Sequence, residues 1–288
     1  MGAGDPRASE AQDALPKVPI GRDPGGVPVG FIGPGVNYTL PQIAQRLARD
    51  GEGEIIGFDF ETGRMQPFDR WPGPGGMIVR QGTPLANLLL REAGAATLIA
   101  IRHHPGHPES LAAAVSMLQR SRARIALMQA SGPNPKDFIT FRQVAELAKD
   151  MLFVVRAGDG DATADIDTQP SYPAAFGLAN VLVVTGTDTK GRLLPGSSWG
   201  RATVDVALPA ADLTVTDFAG TDIIVTGERY AAARATALAA RLKAVHPDLG
   251  GARLKAKILE FARPDPAEPI SRTKAGWIAD PRRIAWLE

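Results

Sequence analysis

From residue 27 onward, short runs of β-branched and apolar residues alternate with stretches whose apolar positions recur every three or four residues. The first pattern predicts strands over 27–32, 54–60, 96–102, 124–129, 152–157, 180–185 and 203–207. The second predicts helices over 40–49, where Leu40, Ile43, Ala44 and Leu47 share a face, and over 83–92, 108–120, 138–149, 228–245 and 252–262. Strands separated by helices of about ten to fifteen residues imply right-handed crossovers. The strand runs are continuously apolar, as buried parallel strands require. The expected class is α/β, a three-layer fold with a mainly parallel central sheet flanked by helices. In such sheets the functional crevice lies at the carboxyl ends of the strands, here 33–37, 103–107, 129–134 and 158–161.

Composition narrows the functions. The chain has 288 residues, 44% of them hydrophobic, enough for one large core. We expect a disordered leader over 1–24, rich in Gly, Pro, Ala and charge, one domain over 25–265 and a C-terminal extension over 266–288. The leader has no apolar h-region, so it is not a signal peptide. A net charge of +1 excludes recruitment of nucleic acid or an anionic membrane by bulk electrostatics. No stretch approaches the ~20 apolar residues of a membrane span. With zero cysteines, disulfides, thiolate metal sites and cysteine nucleophiles are excluded.

Several motifs follow one another in a recognisable order. They are Val29-Gly30-Phe31-Ile32-Gly33-Pro34-Gly35, Gln81-Gly82-Thr83-Pro84-Leu85-Ala86, Met128-Gln129-Ala130-Ser131-Gly132-Pro133, Val154-Val155-Arg156-Ala157-Gly158-Asp159-Gly160, Tyr172-Pro173-Ala174, Pro195-Gly196-Ser197-Ser198-Trp199-Gly200 and Gly227-Glu228-Arg229-Tyr230-Ala231. In order and spacing the chain resembles the subtilisin-like serine proteases (peptidase S8, subtilases) from about 27 to 262. The resemblance implies that the catalytic aspartate is replaced by Gly33, the general base by Gln81, the oxyanion-hole asparagine by Asp159 and the nucleophile by Arg229. It implies also that Met128, Gln129, Ala130, Ser131 and Gly132 form the edge that pairs with substrate, with His103 and His104 in a loop beside the same cleft.

Those replacements remove the chemistry. Glycine has no side chain to hold an imidazole, and an amide does not accept and return a proton near neutral pH. A guanidinium has no lone pair with which to attack a carbonyl. A carboxylate in place of an oxyanion donor repels the forming charge; loss of such a donor costs roughly two to three orders of magnitude in rate, a figure that itself comes from a subtilisin. Asp159 and Arg229 would be opposite charges at neighbouring positions, and a salt bridge between them is expected.

Other residues are weaker candidates. His103, His104 and His107 fall within five positions but lack converging carboxylates other than Glu109, so a solvated loop is expected rather than a metal site. Asp159, Asp161, Asp165 and Asp167 alternate as a calcium loop does, without its glycine and glutamate. Ser197 and Ser198 are expected to be structural. Residues 230–244 are rich in alanine, as a helix packed tightly on a sheet should be; Arg234 within that run is unexpected, while Arg241 and Lys243 are expected in solvent.

The expected function is that of a catalytically inactive pseudoprotease that binds a peptide or protein, an active protease among the candidate partners. The alternative is a hydrolase with a relocated site built from His103, His104 or His107 with Ser131. No cofactor is expected. The family resemblance points to a secreted or periplasmic setting.

Overall fold

The computed structural model describes residues 15–72, 78–103, 107, 109–158, 163–264, 266 and 271–284. In chain order its elements are β1 (Val27–Gly33), α1 (Pro41–Ala44), β2 (Phe58–Asp59), β3 (Trp71–Pro72), β4 (Ile78–Val79), α2 (Gly82–Glu92), β5 (Ala96–Arg102), α3 (Ser110–Arg120) and β6 (Ile125–Met128). They continue with α4 (Ile139–Leu147), β7 (Leu152–Arg156), β8 (Val181–Thr187), β9 (Val206–Pro209), β10 (Leu213–Thr216), β11 (Asp222–Val225), α5 (Glu228–Val245) and α6 (Gly251–Leu259).

Seven strands form one sheet in the order β2-β5-β1-β6-β7-β8-β9, every neighbouring pair parallel. Each of the seven predicted strand regions contributes to it. Because side chains alternate along a strand, Val29 and Phe31 of β1 enter a core shared with α2 and α5, while Ile32 enters a second core shared with α3 and α4. Helices cover both faces, and the mainly parallel three-layer α/β architecture expected of the sequence is the one observed.

The helix expected over 40–49 is only four residues long. After α1 the chain turns extended: Leu47 pairs with Leu98, and the Ala48 N–H donates to the Leu98 carbonyl at 2.9 Å. Ile43 and Leu47 are buried as a helical face would have buried them, so the apolar spacing was satisfied by a different backbone. The strand over 54–60 contracts to Phe58–Asp59, and the one over 203–207 moves to Val206–Pro209 because the Val204 N–H closes a turn on the Gly200 carbonyl. The antiparallel pairs β3–β4 and β10–β11 were not expected.

Both flanking segments join the domain where they are described. Tyr38 Oη donates to the Pro16 carbonyl at 2.8 Å, Arg49 Nη2 donates to that of Pro19 at 2.8 Å, and Val18 packs on the core. Residues 1–14 of the expected leader lie outside the described residues. In the expected C-terminal extension, Trp277 bridges Ala207 and Arg263, and Ile278 is buried. Trp277 and Ile278 are therefore part of the fold.

Helix α5 organises the interior. Eight of its positions between 231 and 244 are alanine, and all but Ala244 are buried against the sheet and α2. Small side chains allow this close approach. Arg234, only 4% exposed at its side chain, donates from Nε to both Glu92 oxygens at 2.9 and 3.0 Å, from Nη1 to the Pro209 carbonyl at 2.7 Å, and from Nη2 to Asp280 at 3.1 Å. Burial raises the Glu92 carboxyl above its usual range, against the lowering effect of Arg234. Contrary to the expectation of solvated side chains, Arg241 and Lys243 are half-buried and donate to the carbonyls of Pro281 and Pro247.

Removing one member of the Arg234 cluster leaves a buried charge without its counterpart. Arg234→Met should destabilise the fold by about 3–5 kcal/mol in denaturant titration. Glu92→Gln added to it should recover part of that loss, and a single-variant effect below about 1 kcal/mol would contradict the assignment.

Candidate functional site

The starts of α2 and α5 converge at the carboxyl end of the sheet. A Cβ on Gly82 would lie 1.9 Å from the Gly35 carbonyl oxygen, so glycine is what lets α2 begin against the loop that follows β1. The next residue fixes that contact. Thr83 Oγ1 accepts the Asn37 N–H at 2.9 Å and donates to Asp69 Oδ2 at 2.6 Å, and the Thr83 N–H donates to the same oxygen at 2.8 Å. Asp69 is fully buried, and burial raises its carboxyl against these hydrogen bonds. Arg80 donates to the Asp69 carbonyl, its guanidinium 4.1 Å from the ring centre of Phe218.

Helix α5 opens on Gly227, whose φ of 152° and ψ of 155° lie in a region essentially restricted to glycine. Its N–H donates to the Ala210 carbonyl at 3.0 Å. This turn drives Glu228 inward to 4% exposure. Glu228 Oε1 accepts the Gly158 N–H at 2.7 Å, while Oε2 accepts the Ser198 N–H at 2.6 Å and lies 3.3 Å from Thr185 Oγ1. Burial pushes this carboxyl up to about 7, although the two N–H donors, the charge of Arg156 and Thr185 all pull it down. Both protonation states fit the geometry. The carboxylate faces the donors, and the acid can place its proton on Thr185 Oγ1, whose own hydrogen goes to the Ser198 carbonyl.

Arg229, the next residue, is half-buried and donates from Nη1 to Gln81 Oε1 at 2.5 Å. Residues 148 positions apart, expected at the nucleophile and general-base positions, are thus hydrogen-bonded to each other. Gly33 ends β1; a Cβ there would lie 3.0 Å from Gln129 Cγ. Asp159, expected to pair with Arg229, lies outside the described residues. The partner observed for Arg229 is the Gln81 amide.

The expected substrate edge runs from Met128, the last residue of β6, through Gln129, Ala130 and Ser131 to Gly132. The Gln129 N–H donates to the Ile32 carbonyl at 3.0 Å, and Gly132 exchanges antiparallel hydrogen bonds with Tyr172 at 2.9 and 2.8 Å. Ser131 Oγ donates to the Gly158 carbonyl at 2.9 Å, joining this edge to the residue that holds Glu228. The serine observed beside His103 is Ser110. His103 is buried, its Nδ1 2.7 Å from Ser110 Oγ, a hydroxyl that also lies 2.8 Å from the His107 carbonyl. His104 lies outside the described residues, and His107 lies 3.2 Å from Glu61.

Two further expectations concern the neighbouring loops. Asp165 and Asp167 cap backbone turns, Asp165 accepting the Asp167 N–H and Asp167 that of Ala202, while Asp159 and Asp161 fall outside the described residues. Ser197 and Ser198 are buried, and the Ser198 backbone serves Glu228. Glu228 is the residue that sequence reasoning passed over as an ordinary helix start. The available signal was an acidic residue at a helix N-terminus, directly after Gly227.

Comparison with known proteins bears on the family and the fold. Residues 78–277 match the family model described as the subtilase family, Peptidase_S8, a span that includes Gln81 and Arg229 but not Gly33. No curated protein sequence matches the chain. The fold is similar to the A-subunit of the AB5 toxin from E. coli, with 19% identity, coverage of 91% of this chain and 92% of that one, and a TM-score of 0.69. It is similar also to MycP1 with its N-terminal propeptide removed, with 22% identity, coverage of 96% and 93%, and a TM-score of 0.67. A cold-adapted subtilisin-like serine proteinase gives 17% identity, 88% and 90%, and 0.67.

Glu228 titrates higher in the fold than its ordinary 4.5, so its contribution to stability is fully present below that pH and is lost as pH rises through about 7. The full swing is about 3 kcal/mol. Carbon-detected NMR should place the Glu228 carboxyl midpoint near 7, and the wild-type Tm should fall between pH 5.5 and 8 more steeply than that of Glu228→Gln. A midpoint near 4.5 with parallel Tm profiles would refute this.

Proposed function

The chain belongs to the subtilase family, and from that membership we propose that it is a pseudoprotease, a subtilisin-like fold whose cleft binds a peptide or protein segment without cutting it. The observation that carries this reading is the hydrogen bond from Arg229 to Gln81. In this reading they stand where the family's nucleophile and general base stand. Neither is able to start acyl transfer, since the guanidinium offers no lone pair and the amide does not take up its proton. Gly33, read as the third position, has no side chain to orient a base. Asp159 in the oxyanion position would oppose a negative charge rather than stabilise it.

Binding by the same cleft needs none of these groups. An extended segment is able to add beside Gln129–Ser131 through main-chain hydrogen bonds, with side-chain pockets setting preference. Among similar structures, one is an epidermin leader peptide processing serine protease, and MycP1 is an essential component of the type VII (ESX-1) secretion system. We read the partner here as an extended peptide segment of another protein, an active protease included.

Purified chain should neither hydrolyse fluorogenic peptides and esters nor take up a fluorophosphonate label. Peptides retained by the chain should lose affinity roughly tenfold or more when Ser131→Pro removes an edge N–H, with the Tm monitored as a folding control. Turnover that disappears in His104→Ala or Ser131→Ala would replace this reading with that of a relocated hydrolase.

A further inference from the structure

Arg229 is in an unfavourable place for a cation. It is the second residue of the 18-residue helix α5, at the end where the helix dipole is positive and disfavours a positive charge. Its observed partner is a neutral amide. One of its five N–H donors is used by Gln81, and among the described residues no carboxylate lies within salt-bridge distance. Glu228, adjacent in sequence, does not offset it, because that side chain turns inward and both of its oxygens accept main-chain N–H groups. Arg156 adds a second positive charge close enough to act on Glu228. The charge of Arg229 is thus without a carboxylate counterpart among the described residues.

The position relative to the peptide edge gives that charge a use. Ser131 donates to the Gly158 carbonyl, the Gly158 N–H donates to Glu228, and Glu228 is bonded in sequence to Arg229. Three short links thus join the edge to the guanidinium. On the subtilisin-like reading above, a strand laid along Gln129–Ser131 passes the mouth of α5, where Arg229 is half-buried with Gln81 holding one arm of the fork. A guanidinium so held is pre-set for two parallel N–H···O bonds to a planar acceptor.

We propose that Arg229, positioned by Gln81, is a carboxylate-binding residue, and that the segment this cleft accepts is acidic at the position facing it. This rests on the peptide-binding reading above. The residue standing in the nucleophile position would then be the main determinant of what is bound. The acid could be a side chain or a C-terminal carboxylate, and both present the same planar group.

The test uses fluorescein-labelled Ala/Val-based decapeptides in which successive positions carry Glu, Gln or Ala, each made with a free and an amidated C-terminus. Affinity is read by fluorescence anisotropy on the full chain. At one position, Glu should bind roughly tenfold to a hundredfold tighter than Gln, and added salt should weaken that preference. If only the free C-terminus gives the preference, the acceptor is terminal; if only the side chain does, it is internal. Arg229→Gln should abolish the preference for Glu over Gln peptides. Arg229→Lys, which keeps the charge without the fork, should retain part of it, and the Tm of each variant monitors folding. Peptides that bind with equal affinity whether Glu or Gln is present, and that still require an intact Ser131 edge, overturn the carboxylate site alone. Absence of any binding by wild type overturns both readings.

Discussion

A buried glutamate side chain ties the centre of this molecule together. Glu228 sits at the mouth of a helix that runs against most of the sheet, and it gathers N–H donors from the end of β7 and from the loop at Ser198. Those donors would otherwise be buried without partners, a cost comparable to a lost hydrogen bond each. The glycine before it supplies the backbone geometry, and the alanines after it let the helix close on the sheet. The position of Arg229, and with it the contact to Gln81, follows from Glu228 turning inward.

Much of the architecture was legible because parallel strands buried on both faces leave a strong sequence trace. Runs such as Leu152–Arg156 and Val181–Thr187 carry no polar alternation, and they fell where strands are observed. Helix α5 was equally clear. The failure at 40–49 is instructive, since Ile43 and Leu47 satisfy helical spacing and strand-edge burial alike, and only the pairing of Leu47 with Leu98 separates the two. The hairpin of β10 and β11 left little signal because its outer strand exposes Ile223 and Ile224.

The candidate site was legible in its positions more than in its contacts. Motif order picked out Gln81 and Arg229, which the fold brings together across 148 residues. It did not pick out which polar group Arg229 would meet, because that depends on side-chain reach at a helix mouth. Nor did it reveal that Glu228 would be buried, since exposure at a helix start is decided by the preceding glycine turn and by loops distant in sequence. Arg234 stood out as an anomaly within the alanines, and the reason lay in Glu92 and Asp280 on other elements.

The Arg234 cluster also sets a schedule for the chain's synthesis. Glu92 emerges 142 residues before the guanidinium that neutralises it, and Asp280 follows 46 residues after that. At translation rates of about 5–20 residues per second, α2 waits on the order of ten seconds for its counter-charge. Until then its inner face carries a carboxylate that resists entry into an apolar core. The ion pair that neutralises the inner face of α2 is thus available only once the chain has been made through α5.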